Sequence, residues 1–599
     1  MTVPQPMAVR EELLEPIRSV LSWMLGLRNA DGAIVCPQHK LEHTGKSAGA
    51  IVIACQLAQV DPNADQDALF QVAREQSMRL VQRLEREDTS TCFTFRPGRH
   101  DPHNCSNSVI DGGACSDALA TCVQVFGERL SHEERQAITH ASVLHAQTYL
   151  RHCVIDKPIP AQKAWAMTGA AQAFALSGHE VLQLAVQEGA RLLADVQHAD
   201  GSYPYHPLDG QPGHPGASDV SAFYQSRVTA FLDFALEAAG LDRSEHADAL
   251  DRGLDFLLGL QGPDGIKVGV VEAKPWYWGA THEVASHPFD VAALVRGWSR
   301  TGDAQYAVGA LRAFRSWAAH LLPNGEPSSH EPGPGRRKSY QCPVFWAGHA
   351  SWMARALPEL ERAMVEGATQ PAKLKEPRVT WFADAGLVRL EDATVVAWVR
   401  GARPAGNAHH GSPLGGGLIR AVAPDGTELL PRCRLGAHQA GEWTGKVGRT
   451  SLARGWRCGR KELRFSLWLA RSAWRAGRHL AAIGMPWRVL KEAVLAFAHP
   501  RVSTSFDRDP GLEMLDDGVR LTVRMAHRDG TVDPSGPVFT RTFRVNGQGV
   551  KVDETIGPGR PARALNYRLP ALARDAGRGP ERVTWRLGAT GSGSGSLGG

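Results

Sequence analysis

The sequence predicts an α+β protein of two domains, an N-terminal (α/α) toroid of about six helical hairpins followed by a C-terminal antiparallel β-sandwich. Three observations predict it. Apolar residues recur at three- and four-residue spacing from Glu11 to about Gln370, after which short segments alternate instead. A similar turn closes several of the helical segments. The two halves also differ in charge, net −11 over residues 1–370 and +16 over 371–599, with 18 of the 24 histidines in the first. A chain of 599 residues is in any case too long for a single core.

The helical pattern is clearest over 13–27, 66–84, 132–150, 180–197, 244–260 and 303–321. Helices end at Asn29-Ala-Asp31-Gly32, Gln197-His-Ala-Asp200-Gly201, Gln261-Gly-Pro-Asp264-Gly265 and Leu322-Pro-Asn324-Gly325, the last three recurring at 64 and 60 residues. That is the length of two helices with their loops, so the segment reads as a divergent repeat of hairpins. No polar capping repeat stands at either end, which predicts a closed ring rather than an open solenoid. A polar, proline-bearing linker, Glu366–Arg378, separates the domains at about residues 370 and 371. Beyond it Thr394–Val399, Gly417–Val422, Glu462–Leu469, Val519–Met525 and Phe539–Val545 read as strands, with turn signals at Asp425-Gly426, Asp529-Gly530 and Asn546-Gly547. The sandwich runs to about residue 590, and a Gly/Ser tail closes the chain.

Composition excludes several classes. Hydrophobic residues make up 43% and charged residues 22%, as in globular proteins, and no apolar run is long enough to span a membrane. Charges interrupt the N-terminal region where a secretory leader would be apolar, so the expected location is cytoplasmic, or exported with a leader removed. Ten cysteines without a CxxC pair read as reduced thiols, and no metal or organic cofactor is expected. The arginines of the basic half are scattered through strand-like segments, which argues against a nucleic-acid partner.

Chemistry concentrates in Asp200–Arg227, DGSYPYHPLDGQPGHPGASDVSAFYQSR. Seven Gly or Pro residues between Pro204 and Gly216 place His206 on a loop. A helix follows to about Ala239, with Ser218 or Asp219 as N-cap and Gly240 as stop. On it Tyr224 and Arg227 share one face.

A helical ring followed by a β-sandwich resembles the toroid-plus-sandwich polysaccharide lyases, the broad group that includes hyaluronate, chondroitin, heparin (heparinase II/III-like) and alginate lyases. The segments DGSYPYH and SAFYQSR look like the DGS-led histidine and helix-borne tyrosine of the hyaluronate and chondroitin lyase family. The resemblance implies β-elimination on a uronic-acid polysaccharide, with Tyr224 and His206 as acid and base, and an asparagine from an earlier helix, Asn104 or Asn107 in HNCSNSVIDGG. Elimination requires a base, an acid and donors for the enolate, and Asn107 with Arg227 would supply the donors. The net negative charge of the ring opposes a polyanionic substrate, so local cations must overcome it.

Other segments offer glycan contacts. KPWYWGATHEVASHPFD carries Trp276, Trp278, His282 and His287, SSHEPGPGRRKSYQCPVFWAGHASW carries Arg336, Trp346 and His349, and Tyr205 precedes the loop histidine. An anionic polysaccharide or oligosaccharide is therefore the expected partner. Two alternatives stay open. Asp111 and Asp219 would serve as acid and base of a toroid glycoside hydrolase acting on uronides. A noncatalytic glycan-binding or assembly protein would need the aromatic residues and not the ionisable ones.

Overall fold

In a computed structural model the chain folds into two compact units. The structure describes residues 6–87, 90–93, 106–205, 220–268, 284–328, 343–369, 376–401, 416–430, 441–446, 501–527, 532 and 536–588, with short breaks inside these ranges. The first unit takes in Met1–Pro212, Val220–Leu258 and Thr281–Pro371, and the second Gly213–Asp219, Gly259–Ala280 and Ala372–Gly599.

The first unit is an (α/α) toroid. Its helices are α1 (Pro6–Leu25), α2 (Thr44–Val60), α3 (Gln66–Arg83), α4 (Ser106–Phe126), α5 (His132–His145), α6 (Arg151–Asp156), α7 (Pro160–Ser177), α8 (Glu180–Val196), α9 (Ala222–Ala238), α10 (Ala247–Leu260), α11 (His287–Thr301), α12 (Ala304–Ala318) and α13 (Pro343–Val365). A short hairpin of β1 (Leu84–Glu87) and β2 (Ser90–Phe93) precedes α4, and a π-helical turn, Ala146–Leu150, joins α5 to α6. Helices α2, α4, α7, α9, α11 and α13 pack each against the next, and α13 returns to α2, so the ring closes. The remaining helices lie outside this ring, α1 on α13, α3 on α2, α5 on α4, α8 on α7 and α12 on α11.

Composition decides which helix goes inside. A helix packed on every side must be apolar all round, and α2 carries a single charge, Lys46, in 17 residues. Outer helices such as α8, α10 and α12 keep an apolar stripe and a polar face. Glycines let the inner helices approach. A Cβ on Gly348 of α13 would fall 2.8 Å from the Lys46 carbonyl oxygen of α2, and one on Gly113 of α4 would fall 2.6 Å from the Trp165 carbonyl oxygen of α7.

The repeated turns are built alike. The glycine N–H of Gly32, Gly201, Gly265 and Gly325 donates to the carbonyl three residues earlier at 2.9–3.0 Å, and each glycine has positive φ, between +79° and +83°. Each ends an outer helix, α1, α8, α10 or α12, and starts the connection to the next inner one. Helix α9 differs from expectation at its start. It begins at Ala222 and its N-cap is Ser221, whose Oγ accepts the Tyr224 N–H at 3.4 Å, not Ser218 or Asp219. A bridge between Pro204 and Val220 keeps the chain extended up to that point.

Among the outer helices α5 has a complete capping box. Ser131 Oγ accepts the Glu134 N–H at 3.2 Å, and the Glu134 carboxylate accepts the Ser131 N–H at 3.1 Å. Ser131→Ala is expected to cost about 1 kcal/mol, read from the urea midpoint of the first unit.

The second unit is antiparallel throughout its described strands. One sheet holds β3 (Arg378–Phe382), β4 (Leu387–Asp392), β5 (Val395–Arg400), β6 (Gly417–Val422) and β7 (Glu428–Leu430) in sequence order. The others use β8 (Trp443–Lys446), β9 (Arg501–Ser503), β10 (Gly511–Leu515), β11 (Gly518–Arg524), β12 (Ala526–His527), β13 (Val538–Val545), β14 (Val550–Ile556), β15 (Arg563–Tyr567), β16 (Arg574–Arg578) and β17 (Arg582–Leu587). Their orders are β10-β11-β13-β14-β17-β16 and β12-β9-β8-β15. Alternation drives the layers together, Val388, Leu390, Val399, Val519, Leu521, Phe539, Phe543 and Val552 forming one core. Gly426 and Gly547 turn with φ of +88° and +81° as expected, whereas Glu462–Leu469 and Asp529-Gly530 lie outside the described residues.

Within this unit the end of α10 and the turn after it are clamped to the first sheet. Trp398 Nε1 donates to Gly259 O at 2.9 Å, Arg389 Nη1 to Gln261 O at 3.1 Å and Arg420 Nη1 to Ile266 O at 2.6 Å, while Arg420 also pairs with Asp264. Among the described residues no helix is long and apolar enough to cross a membrane.

Candidate active site

Because each outer helix returns the chain before the next inner helix begins, the six inner helices start at one end of the ring. Side chains from the first two turns of all six gather there. Lys46 comes from α2, Asp111 from α4, Trp165 from α7, Tyr224 and Arg227 from α9, Phe289 from α11, and Phe345 and His349 from α13.

The Trp165 indole is the hub. Lys46 Nζ lies 5.3 Å from its ring centroid and the Arg227 guanidinium carbon 5.5 Å, with the His349 ring at 6.2 Å. Lys46 also sits 4.5 Å over Phe345 and 3.3 Å from Asp111 Oδ1. Arg227, 1% exposed, donates to Phe223 O at 2.8 Å and packs over the Phe223 and Phe289 rings at 3.6 and 4.5 Å. Tyr224 is half-buried, its ring 5.0 Å from Tyr205 and 5.6 Å from the Arg227 guanidinium. Two cations and an imidazole therefore flank one indole, with a carboxylate beside one cation and a phenol beside the other. Inner-helix N-termini add the positive ends of their dipoles to this region.

His349 is enclosed by Phe289, Phe345 and Trp165 and donates through Nδ1 to Ala285 O at 3.3 Å, since a carbonyl only accepts, which fixes the Nδ1–H tautomer. Its Nε2 has no hydrogen-bond partner among the described residues. Burial first, then the Arg227 and Lys46 charges, holds this imidazole well below its ordinary value. His145, at the end of α5, is likewise buried, bonded through Nδ1 to Thr91 Oγ1 at 2.9 Å and lowered by burial to about 3. Both are neutral in the folded chain. The unfolded chain binds their protons near pH 6.5 and the folded one does not, so stability rises with pH through this window and falls on acidification. For His145 the loss between about pH 6 and pH 4 is expected to reach about 1.4 kcal/mol per pH unit, measured by urea denaturation across that range.

The structure thus brings together Tyr224, Arg227, Tyr205, Asp111 and His349. His287 and Trp346 are fully enclosed on α11 and α13, His287 Nδ1 lying 2.9 Å from Asp290 Oδ2. Asp117, six residues along α4 from Asp111, answers to Arg355 at 2.7 Å instead, and burial raises its carboxyl. His206, Asp219, Trp276, Trp278, His282 and Arg336 lie outside the described residues, as does the Asn107 side chain, though its place on α4 is one turn before Asp111. Among the described residues no three His, Cys, Asp or Glu side chains gather as a metal site requires. Sequence reasoning missed Lys46 and Trp165. The signal for Lys46 was present, since it is the lone charge of an otherwise uncharged helix.

No protein-family model and no curated protein matches the chain. Solved structures similar to it include cellobiose 2-epimerase from Spirochaeta thermophila, at 12% identity over 61% of this chain and 98% of that one, TM-score 0.43. A glycosyl hydrolase family 88 protein from Bacteroides vulgatus is similar at 12% identity over 59% of this chain and 99% of that one, TM-score 0.43. Unsaturated glucuronyl hydrolase from Streptococcus agalactiae is similar at 10% identity over 59% and 93%, TM-score 0.41.

Proposed function

We propose that the helical unit is an enzyme that cleaves a uronic-acid polysaccharide by β-elimination. The observation that carries this reading is the placement of Tyr224 beside Arg227 on one face of α9, within the cluster of cations and aromatic rings at the inner-helix N-termini. In the reaction the proton on C5, next to the uronate carboxylate, passes to a base. The C4–O bond breaks, a C4–C5 double bond forms, and the leaving oxygen takes a proton. Arg227 and the helix N-termini would stabilise the charge that gathers on the carboxylate, and aromatic faces suit the apolar side of a sugar ring. Tyr224 carries the proton, with His206 as its partner in this reading. Asn107 is the further donor to the carboxylate.

A second reading, glycoside hydrolysis, rests on Asp111, whose carboxylate stands in the same cluster. One assay separates the two. The full chain is incubated with glucuronan, polygalacturonate, alginate, hyaluronan and heparan sulfate while absorbance near 232 nm and new reducing ends are followed together. Absorbance rising with reducing ends is the expected result. Reducing ends without absorbance would transfer the case to hydrolysis, and neither signal would count against both.

A further inference from the structure

We propose that Lys46 selects for charge in this site: its ammonium binds the carboxylate of the acidic sugar, and Asp111 is the counter-ion that positions it while the site is empty. The inference rests on the reading that the site takes an acidic sugar, and it adds a residue and a role which that reading does not contain.

Position is the first argument. Lys46 is in the first turn of α2, where the helix dipole disfavours a cation, and it is the only charge on that helix. A buried Lys–Asp pair is commonly no more stable than well-packed apolar side chains of similar volume, so stability alone is a poor reason to keep one here. The side chains of Lys46 and Asp111 are 5% and 6% exposed. The pair is also loose. Its 3.3 Å separation exceeds the 2.7–2.9 Å typical of charge-assisted N–H···O bonds, and the ammonium is otherwise held by the faces of Trp165 and Phe345. An ammonium has three donors, and ring faces satisfy them weakly.

The second argument is independent. His349 shares both of those rings with Lys46, is 3% exposed, and presents an Nε2 without a hydrogen-bond partner among the described residues. Buried polar atoms are nearly always satisfied, so an unmatched acceptor beside a loosely held cation marks a place for a ligand with a donor and a negative charge. A sugar acid offers both, a hydroxyl for His349 Nε2 and a carboxylate for Lys46 Nζ.

The test uses the full chain carrying Tyr224→Phe, so that oligosaccharides stay intact. Tryptophan fluorescence is titrated with glucuronic-, galacturonic- and mannuronic-acid oligosaccharides and with the same oligosaccharides after reduction of their carboxyl groups. The parent is expected to prefer an acid over its reduced form. Lys46→Met combined with Asp111→Asn, which removes both charges together, is expected to bind that acid at least about 30-fold more weakly and to lose the preference, with an unchanged melting temperature. If this pair of changes destabilises the chain, Asp111→Asn alone decides. It keeps the cation, frees it from its competitor, and is expected to bind the acid more tightly.

A double variant that folds and keeps the acid preference overturns the proposal, as does weaker acid binding by Asp111→Asn. Failure of every acid to bind the parent removes the subsite altogether. The two readings fail separately. Acid binding that depends on Lys46, without absorbance near 232 nm from any polysaccharide, would end the elimination reading and leave this one standing. Elimination with an acid preference indifferent to Lys46 would do the reverse.

Discussion

Tyr224→Phe is expected to lower kcat/KM for elimination by about 10²- to 10⁴-fold, the range spanned by a positioned proton-transfer group. The change removes one oxygen and leaves the ring. The packing of residue 224 against Tyr205 at 5.0 Å and Phe223 at 5.4 Å is retained, as is the backbone bond to Ser221 Oγ, so the loss would not come from unfolding. Stability within about 0.5 kcal/mol of the parent is the matching expectation. Initial rates near 232 nm across a range of substrate concentrations check the first, and urea denaturation checks the second. A variant whose kcat stays within about threefold of the parent would exclude the phenol from proton transfer.

The second large effect is on folding of the sandwich. Glu554 on β14 is fully buried, and its carboxylate is the centre of a polar network. Oε1 accepts from Arg541 Nη2 at 3.0 Å and from the Tyr567 hydroxyl at 2.7 Å, Oε2 accepts from Trp443 Nε1 at 2.9 Å, and Trp585 Nε1 donates to the Tyr567 oxygen at 2.6 Å. Arg541 further reaches Gly416 O and Gly441 O. Burial, followed by the Glu554 charge, pushes the Tyr567 phenol well above its ordinary value, so it stays a donor. Glu554→Ala would leave a buried guanidinium without its counter-charge and two donors without an acceptor. A loss of about 3–5 kcal/mol is expected, seen as an early transition of the second unit in urea. Replacing both members, Glu554→Leu with Arg541→Met, is expected to cost less than Glu554→Ala alone, because no charge is stranded. Equal or greater loss in the double variant would show that the network, not the stranded charge, sets the stability.

Much of the fold was legible because periodicity is a local property. The apolar stripes named from sequence fall on α1, α3, α5, α8, α10 and α12, all of them outer helices with one face on the ring. Inner helices such as α2 and α7, apolar all round, have no stripe to find and entered only through the count of hairpins. The Asp-Gly and Asn-Gly turns were legible because positive φ selects glycine, and the strand at Gly417–Val422 because its bounds are turns. Tyr224 with Arg227 was legible from i and i+3 spacing on one helix. The Lys46–Asp111 pair was not, because 65 residues separate its members and only the packing of α2 on α4 makes them neighbours. The cap of α9 was misplaced because Ser218, Asp219 and Ser221 all suit an N-cap, and the bridge at Val220 chose among them.

The clamp formed by Arg389, Trp398 and Arg420 changes what it means to divide this chain. The second unit is assembled from separated stretches of sequence, and Gly259–Val268, the last two residues of α10 and the turn after it, is part of one of them. A protein begun at Ala372 would therefore lack the carbonyls that two guanidinium groups and an indole N–H are built to meet, and Phe382 would lose Gly259 beneath its ring. A protease nick in the linker near residue 370 would leave the amino-terminal fragment still supplying a piece of the sandwich. Recombination at that linker with an unrelated partner would fail for the same reason, so the two units must be inherited together.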